Sequence, residues 1–299
     1  MLLKRIQRRS KRFIHELADI PLRRRLSATA RPVRSLNAPE TLAHNDTIVV
    51  TAHPDDESIA AAVLMRQVPR LGVVCVTNGA PKKESYARQA GFDNWLDYAF
   101  KREREIAAAL ALLNRDIAPF ECLGIGDQEA THNLVVVTRH LVTQITGFQQ
   151  VITHAYEGGH PDHDSTAFCV HAACALIQRS GTAPPVIIEA PLYNAPAGRY
   201  VHQIFLPHPD AGPVLSVTLS QEQQTFKRKM YACHETQNKT FNDFHVEKEQ
   251  FRVAPRYHFC ASPHSGEVGY NQFRWPITGR VWRRTAWKAM RELDLLDLA

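Results

Sequence analysis

The sequence has no C-x-x-C pair, and its six cysteines, Cys75, Cys122, Cys169, Cys174, Cys233 and Cys260, fall mostly within apolar strand or helix patterns. That argues against a thiolate metal cluster and against a disulfide framework, and for free thiols in a reducing compartment. No uninterrupted apolar run is long enough to span a bilayer. The basic start, MLLKRIQRRSKRFIHEL, has no apolar stretch behind it, so it does not read as a secretory signal. There is no glycine-rich phosphate loop of the usual kind. The basic residues are not interleaved with aromatic platforms, so no nucleic-acid partner is expected. Internal repeats and low-complexity tracts are also lacking.

What is there begins with an uneven charge. The net charge of +6 is carried by residues 1–35, where eleven Lys and Arg face only Glu16 and Asp19; the remaining residues are mildly acidic. Residues 1–44 read as a basic leader. Ile6, Phe13, Ile14, Leu17 and Ile20 recur at helical intervals. Such a helix either lies on an anionic membrane surface or stays a solvated arm, and both readings stay open. The expected location is cytoplasmic, or peripheral at the inner membrane face through residues 1–35. Residues 45–252 read as the main domain and 253–299 as an extension packed on it.

Along the main domain, strands alternate with helices. Thr47–Ala52, Gly72–Thr77, Phe120–Leu123, Gln150–His154 and Val186–Glu189 read as strands, separated by helical patterns near 59–65, 98–113, 134–145 and 167–177. The second strand is expected to break at Asn78-Gly79 into a long polar connection over 78–97. This alternation predicts an α/β fold, a Rossmann-like, mostly parallel sheet with helices on both faces. Later, 203–206 and 214–219 read as strands, and 221–234 as a helix exposing Lys227, Arg228 and Lys229. Thr285–Leu298 reads as a helix with Trp287, Met290, Leu293 and Leu296 on one side.

Two loops carry chemistry. The first strand ends in His53-Pro54-Asp55-Asp56-Glu57, and the fourth runs into His160-Pro161-Asp162-His163. Both loops open helices, at the strand edge where open α/β sheets bind ligands. Taken singly, each is explained by helix capping. Taken together, His53, Asp56 and His163 would supply three ligands to one catalytic Zn²⁺ and leave room for water. Asp55, beside a ligand but free of the ion, would take the water's proton, and His160 would stabilise the oxyanion or protonate the leaving amine. His132, His154, His171, His202, His208, His245, His258 and His264 read as structural or surface histidines. Arg102 and Glu105, at i and i+3, read as a surface ion pair on residues alone.

The pairing of AHPDDE after a strand with GHPDHD about a hundred residues later resembles the PIG-L/LmbE-like family of zinc-dependent N-deacetylases. The likeness covers roughly Asp46 to Gln237. It implies an enzyme removing an N-acyl group, acetyl above all, from an N-acetylglucosamine-containing or related amino-sugar small molecule or glycolipid. It implies zinc ligands at His53, Asp56 and His163, a base at Asp55, and an oxyanion or acid role at His160. Arg102 and Asp127 match sugar-contacting positions, and His234, in His-x-x-Gln, matches a pocket position. Some mycothiol-type members carry Tyr where Gly158 stands, which makes a thiol-sugar substrate less supported. Another metal-dependent amide or ester hydrolase, or a non-catalytic sugar-binding member, are the alternative readings.

Overall fold

The computed structural model describes residues 39–296. Residues 1–38 of the basic leader, with the amphipathic helix and membrane contact expected of them, lie outside those residues. After a short helix α1 (Pro39–Ala43), strand β1 (Thr47–Thr51) is buried along its whole length. Its β-branched residues alternate between two cores. Ile48 and Val50 pack into one hydrophobic cluster and Val49 into the other, as expected for a central strand covered on both faces.

Helix α2 (Asp56–Ala61) leads to β2 (Leu71–Pro81), followed by α3 (Glu84–Gln89), α4 (Trp95–Ala111) and β3 (Phe120–Asp127). Then come α5 (Leu134–Ile145), β4 (Gln150–His154), α6 (Pro161–Arg179) and β5 (Val186–Ala190). The bridge strands β6 (Tyr193–Asn194) and β7 (Val201–His202) precede β8 (Leu215–Thr218), α7 (Gln221–Cys233), β9 (Lys248–Val253) and α8 (Gly279–Glu292). The seven-stranded sheet runs β3-β2-β1-β4-β5-β9-β8. Its first five strands are parallel, and β9 and β8 add on antiparallel. The α/β, mostly parallel architecture is therefore as expected.

The strand order reverses at β1, which pairs with β2 on one side and β4 on the other. This is the topological switch point, where the loops after β1 and β4 are splayed to opposite sides and leave a crevice between them. On one face of the sheet lie α2, α4 and α7, through Ile59, Ile106, Leu110 and Met230. On the other lie α5, α6 and α8, through Leu141, Phe168 and Trp282. Trp282 is fully buried, stacks on Tyr156 with ring centroids 5.1 Å apart, and donates from Nε1 to Ser165 Oγ at 2.9 Å.

Several details differ from the sequence reading. Strand β2 does not break at Asn78-Gly79 but continues to Pro81, because its pairing with β3 resumes through register shifts after Cys75 and Thr77. Gly79, at φ +64°, absorbs the irregularity. A short helix, α3, occupies part of the expected connection. The strand expected at 203–206 is replaced by the β6–β7 bridge just before it, since Gln203 turns the chain at φ 54°. The sequence pattern does not show strand β9, whose charged residues Glu249 and Arg252 point to opposite faces and meet Lys227 and Glu189 there. Lys227 is not exposed. Its ammonium donates to Ile59 O at 2.8 Å and lies 3.3 Å from Glu249 Oε1, whose carboxylate also accepts Val63 N–H and Leu64 N–H. The last helix starts earlier than expected and buries Trp282, Ala286, Ala289 and Met290, while Trp287 and Leu296 are exposed. The six cysteines are free.

Candidate metal centre and active site

The turn after β1 is held from all sides. Ala52 N–H donates to His154 Nε2 at 2.8 Å, and Ala52 O accepts from both the Thr77 N–H and its hydroxyl, each at 2.8 Å. Asp55 then takes the strained conformation φ 138°, ψ −31°, which costs on the order of 1–3 kcal/mol and persists only when surroundings enforce it. They do. Glu57 Oε2 accepts the Asp55 N–H at 2.9 Å. The Arg102 guanidinium donates to Pro54 O at 2.6 Å, Gly79 O at 2.8 Å and Asp55 Oδ2 at 3.2 Å. Although Asp55 sits at the N-cap of α2, its side chain makes no capping hydrogen bond. Capping therefore does not account for this carboxylate.

The loop after β4 is organised by its own acids. Asp164 Oδ1 accepts the Glu157 and Gly158 N–H groups at 3.3 and 3.0 Å, while Glu157 accepts from Leu192 N, Tyr193 N and Asn194 Nδ2. Gly159 packs so closely on the Tyr193 carbonyl that a Cβ would lie 1.9 Å from that oxygen. His160 caps α6, its Nδ1 accepting the Asp162 N–H at 3.2 Å. That bond leaves the ring proton on Nε2.

The two loops converge. His53 Nδ1 lies 3.2 Å from His163 Nε2 and 3.3 Å from Asp56 Oδ2, and His163 Nε2 lies 3.5 Å from Asp56 Oδ1. Ligand bonds of about 2.0–2.1 Å in a tetrahedral site put neighbouring donors about 3.3–3.4 Å apart. The three donors fit a Zn²⁺-sized ion in spacing and in chemical type. His154 joins the cluster with Asp56 and His163. It stacks on His163, centroids 4.1 Å apart, with Nε2 3.4 Å from Asp56 Oδ2. The sequence reading passed it over. The available signal was its place at the C-terminal end of β4, next to the end of β1.

Electrostatics ready two of the three ligands and leave the third charged: burial would lower His53, but Asp127, Asp162 and Asp56 hold it well above its ordinary value, so a metal at Nδ1 must displace a proton. Burial pushes His163 down to about 3, so its imidazole is neutral. Burial would raise Asp56, but His163 and His154 hold it well below the usual carboxylate range. Burial lifts Asp55 to about 7 against the pull of Arg102. Burial and the charge on His53 push His160 down to about 3.

On the outer side, Asp127 ends β3 with Oδ1 3.5 Å from His53 Nε2 and 3.6 Å from His160 Nε2. Asp162 ties this strand end to the site, accepting Gln128 N–H at 2.6 Å and Ala130 N–H at 3.1 Å. Tyr193 was not foreseen either; its ring lies 4.8 Å from His163. Tyr156 instead faces the core and donates to Ala261 O. Arg102 and Glu105 are not a surface pair. Both are buried, and Glu105 accepts from Thr236 N and Thr236 Oγ1. His234 is fully buried, its Nε2 3.1 Å from Glu57 Oε1 and 3.3 Å from Ser58 Oγ. Arg102 and His234 thus grip the underside of the β1 turn.

Fold and site together define an α/β protein with a candidate divalent-metal centre at the switch point of its sheet. The PIG-L family model, described as GlcNAc-PI de-N-acetylase, matches residues 48–174, the segment that runs from β1 into α6 and carries both motifs. Among solved structures, the chain is similar to a deacetylase of the teicoplanin biosynthesis pathway, with 16% identity, TM-score 0.54, and 69% of this chain and 96% of that one covered. It is likewise similar to the A40926 pseudoaglycone deacetylase, with 17% identity, TM-score 0.53, and coverage of 70% and 96%. A zinc-inhibited form of the teicoplanin deacetylase matches at 15% identity and TM-score 0.52, with 69% and 97% covered. At these identities the likeness is one of fold. A comparison with curated proteins gives no significant match. Among the described residues, no helix is long and apolar enough to cross a membrane.

Proposed function

We propose that the protein is a metal-dependent hydrolase that removes an N-acyl group, acetyl above all, from an amino-sugar-containing small molecule or glycolipid. The observation that carries this reading is the convergence of His53 Nδ1, Asp56 and His163 Nε2 at 3.2–3.5 Å, with the carboxylate of Asp55 beside them and outside the trio. The family match and the deacetylase neighbours support the reaction type. His53, Asp56 and His163 would hold one zinc ion per chain. When bound, such an ion polarises an acyl carbonyl and lowers the pKa of water.

The chain's own residues do the rest. Asp55 accepts the proton of the attacking water and returns it to the leaving amine, so that water and amide become carboxylate and amine. His160, neutral and carrying its proton on Nε2, donates a hydrogen bond to the oxygen that gains charge. Arg102 and Glu57 hold the Asp55 turn in its strained shape. Asp127, 16% exposed at its side chain, is placed to accept a substrate hydroxyl. The domain boundaries at 44 and 252 and a cytoplasmic location remain part of this proposal.

The test is amine release from N-acetylglucosaminides after chelation and zinc readdition, with acyl loss followed by mass. Activity lost with chelator and recovered with zinc supports the reading; turnover indifferent to chelator removes the metal from it. Turnover of acetyl esters but not of N-acetyl sugars would favour the broader metal-dependent hydrolase.

A further inference from the structure

Hydrogen bonds alone do not fix the His160 ring. Its Nδ1 accepts one, from the Asp162 N–H at 3.2 Å, and its Nε2 lies 3.6 Å from Asp127 Oδ1, outside hydrogen-bond range. The rest is packing. The ring centroid is 4.7 Å from that of His53, 5.4 Å from His163 and 5.0 Å from Trp275, the last contact edge-on at 67°. His53 and His163 belong to the trio proposed to hold the metal. Trp275 comes from the C-terminal segment, beyond the residues 48–174 that the family model matches. We propose that Trp275 is a positioning residue: it holds the His160 imidazole where its Nε2–H meets the oxygen that gains charge. The C-terminal segment is then a working part of the active site.

The segment that carries Trp275 is moored to the β4–α6 loop on both sides of His160. Before it, Gly269 N–H donates to Gly158 O at 2.7 Å, and a Cβ on Gly158 would stand 2.8 Å from Val268 Cγ1. After it, the Tyr270 hydroxyl donates to Asp164 Oδ2 at 3.2 Å, on the same carboxylate that gathers the loop's N–H groups. Asn271 Oδ1 then accepts the Gly279 N–H at 2.8 Å, which closes residues 271–279 into a loop with Trp275 inside it. Within that loop Phe273 stacks on Trp275, centroids 4.6 Å apart and planes 21° apart. The indole is therefore braced by its own segment before it meets the imidazole.

The competing explanation is that Trp275 only fills the core. It is half-buried, packs on the edge of the cluster that contains Trp282, and its stacking partner Phe273 is 44% exposed. The stack thus stands at the border of the core, with the His160 ring against it. Edge-on contact at this spacing is a preferred arrangement of ring pairs. It restrains a ring that one long hydrogen bond would leave free to tilt, and a misplacement of about 1 Å costs about 10²-fold in rate. The part given to Trp275 in the reaction rests on the functional reading; its hold on the His160 ring does not.

The experiment is a double-mutant cycle on the zinc-loaded full chain, read by amine release from methyl N-acetylglucosaminide. Trp275→Ala should lower kcat by roughly 10- to 10²-fold and move KM by less than about threefold, because His160 acts on charge that develops only in the transition state. Trp275→Phe keeps an aromatic edge and should recover most of kcat. In a His160→Asn chain, whose amide oxygen still caps α6, Trp275→Ala should cost no further kcat. Circular-dichroism melting shows that each variant is folded; if Trp275→Ala is not, Trp275→Leu, apolar without an aromatic ring, takes its place. An equal loss of kcat in both backgrounds, or wild-type kcat in Trp275→Ala, overturns the proposal. A second readout needs no turnover: diethyl pyrocarbonate should modify His160 of the chelator-stripped chain several-fold faster in Trp275→Ala, followed by peptide mass spectrometry. If the wild-type chain releases no amine, the functional reading falls. Faster modification then still supports the hold of Trp275 on the ring, and an unchanged rate overturns it.

Discussion

At the scale of single residues, Asp55 and Arg102 make opposite demands on the same turn. Asp55 is buried beside the trio proposed to hold the metal, and it is the proposed base. Asp55→Asn keeps the shape and removes the proton acceptor. Turnover should fall by about 10²–10⁴-fold with bound zinc unchanged, measured by amine release alongside metal content. Undiminished turnover would show that another group takes the proton. The Arg102 guanidinium pairs with Asp55 at 3.2 Å and also donates to Pro54 O and Gly79 O. Removing one partner of a buried pair leaves the other uncompensated, typically costing about 3–5 kcal/mol. Arg102→Met should therefore lower the unfolding free energy from urea titration by that order and also reduce turnover. Arg102→Lys should recover only part of both, because an ammonium cannot span three acceptors as a planar fork does. Residue identities were readable in the two motifs because metal and acid–base chemistry restrict which side chains can serve. The part of Arg102 was not: a helix-spaced Arg and Glu look the same whether they face water or a strained turn.

At the scale of elements, the β4–α6 loop depends on Gly159. An alanine there would put its Cβ 1.9 Å from the Tyr193 carbonyl oxygen. Backbone cannot yield as a flexible side chain does, so the loop would shift by an ångström or more, and His160 and His163 with it. A misplacement of that size costs about 10²-fold in rate. Gly159→Ala should thus weaken zinc retention and lower turnover by that order, with the overall fold intact by circular dichroism; unchanged zinc affinity would mean that the loop absorbs the methyl group elsewhere. The elements nearest the site were legible. β1 and β4 are short, apolar and β-branched, and each ends in a polar cluster that opens a helix. What escaped were the elements whose burial is electrostatic. Strand β9, Lys-Glu-Gln-Phe-Arg-Val, reads as solvated, yet Glu249 and Arg252 are buried, where Lys227 and Glu189 give their polar atoms partners. The continuation of β2 past Gly79 was hidden similarly, since it depends on the edge offered by β3, far away in sequence.

At the scale of the whole molecule, the parallel half of the sheet carries the site and the antiparallel strands β9 and β8 extend it beyond β5. The two parts are joined by the cross-strand pair Glu189 and Arg252, whose side chains meet at 2.9 Å. Arg252 also donates to Leu206 O and Tyr257 OH, so this one cation gathers three segments. Glu189 is fully buried and its Oε1 has no hydrogen-bond partner. Burial lifts its carboxyl to about 7, from an ordinary 4.5, against the pull of Arg252. The sign of the consequence is set by that direction. Between these two values the folded chain holds a proton that the unfolded chain has lost. The associated stability is full below pH 4.5 and disappears as pH rises through 7. A fully buried group with a shift of this size contributes on the order of 3 kcal/mol across the window. Urea midpoints of the chelated protein should decline from about pH 5 to pH 7. Glu189→Gln keeps an oxygen acceptor facing Arg252 but cannot ionise, so its midpoint should lose that slope while the wild-type chain shows it. Equal slopes in the two proteins would mean that the pair stays charged throughout, and that Arg252 outweighs the burial of its partner.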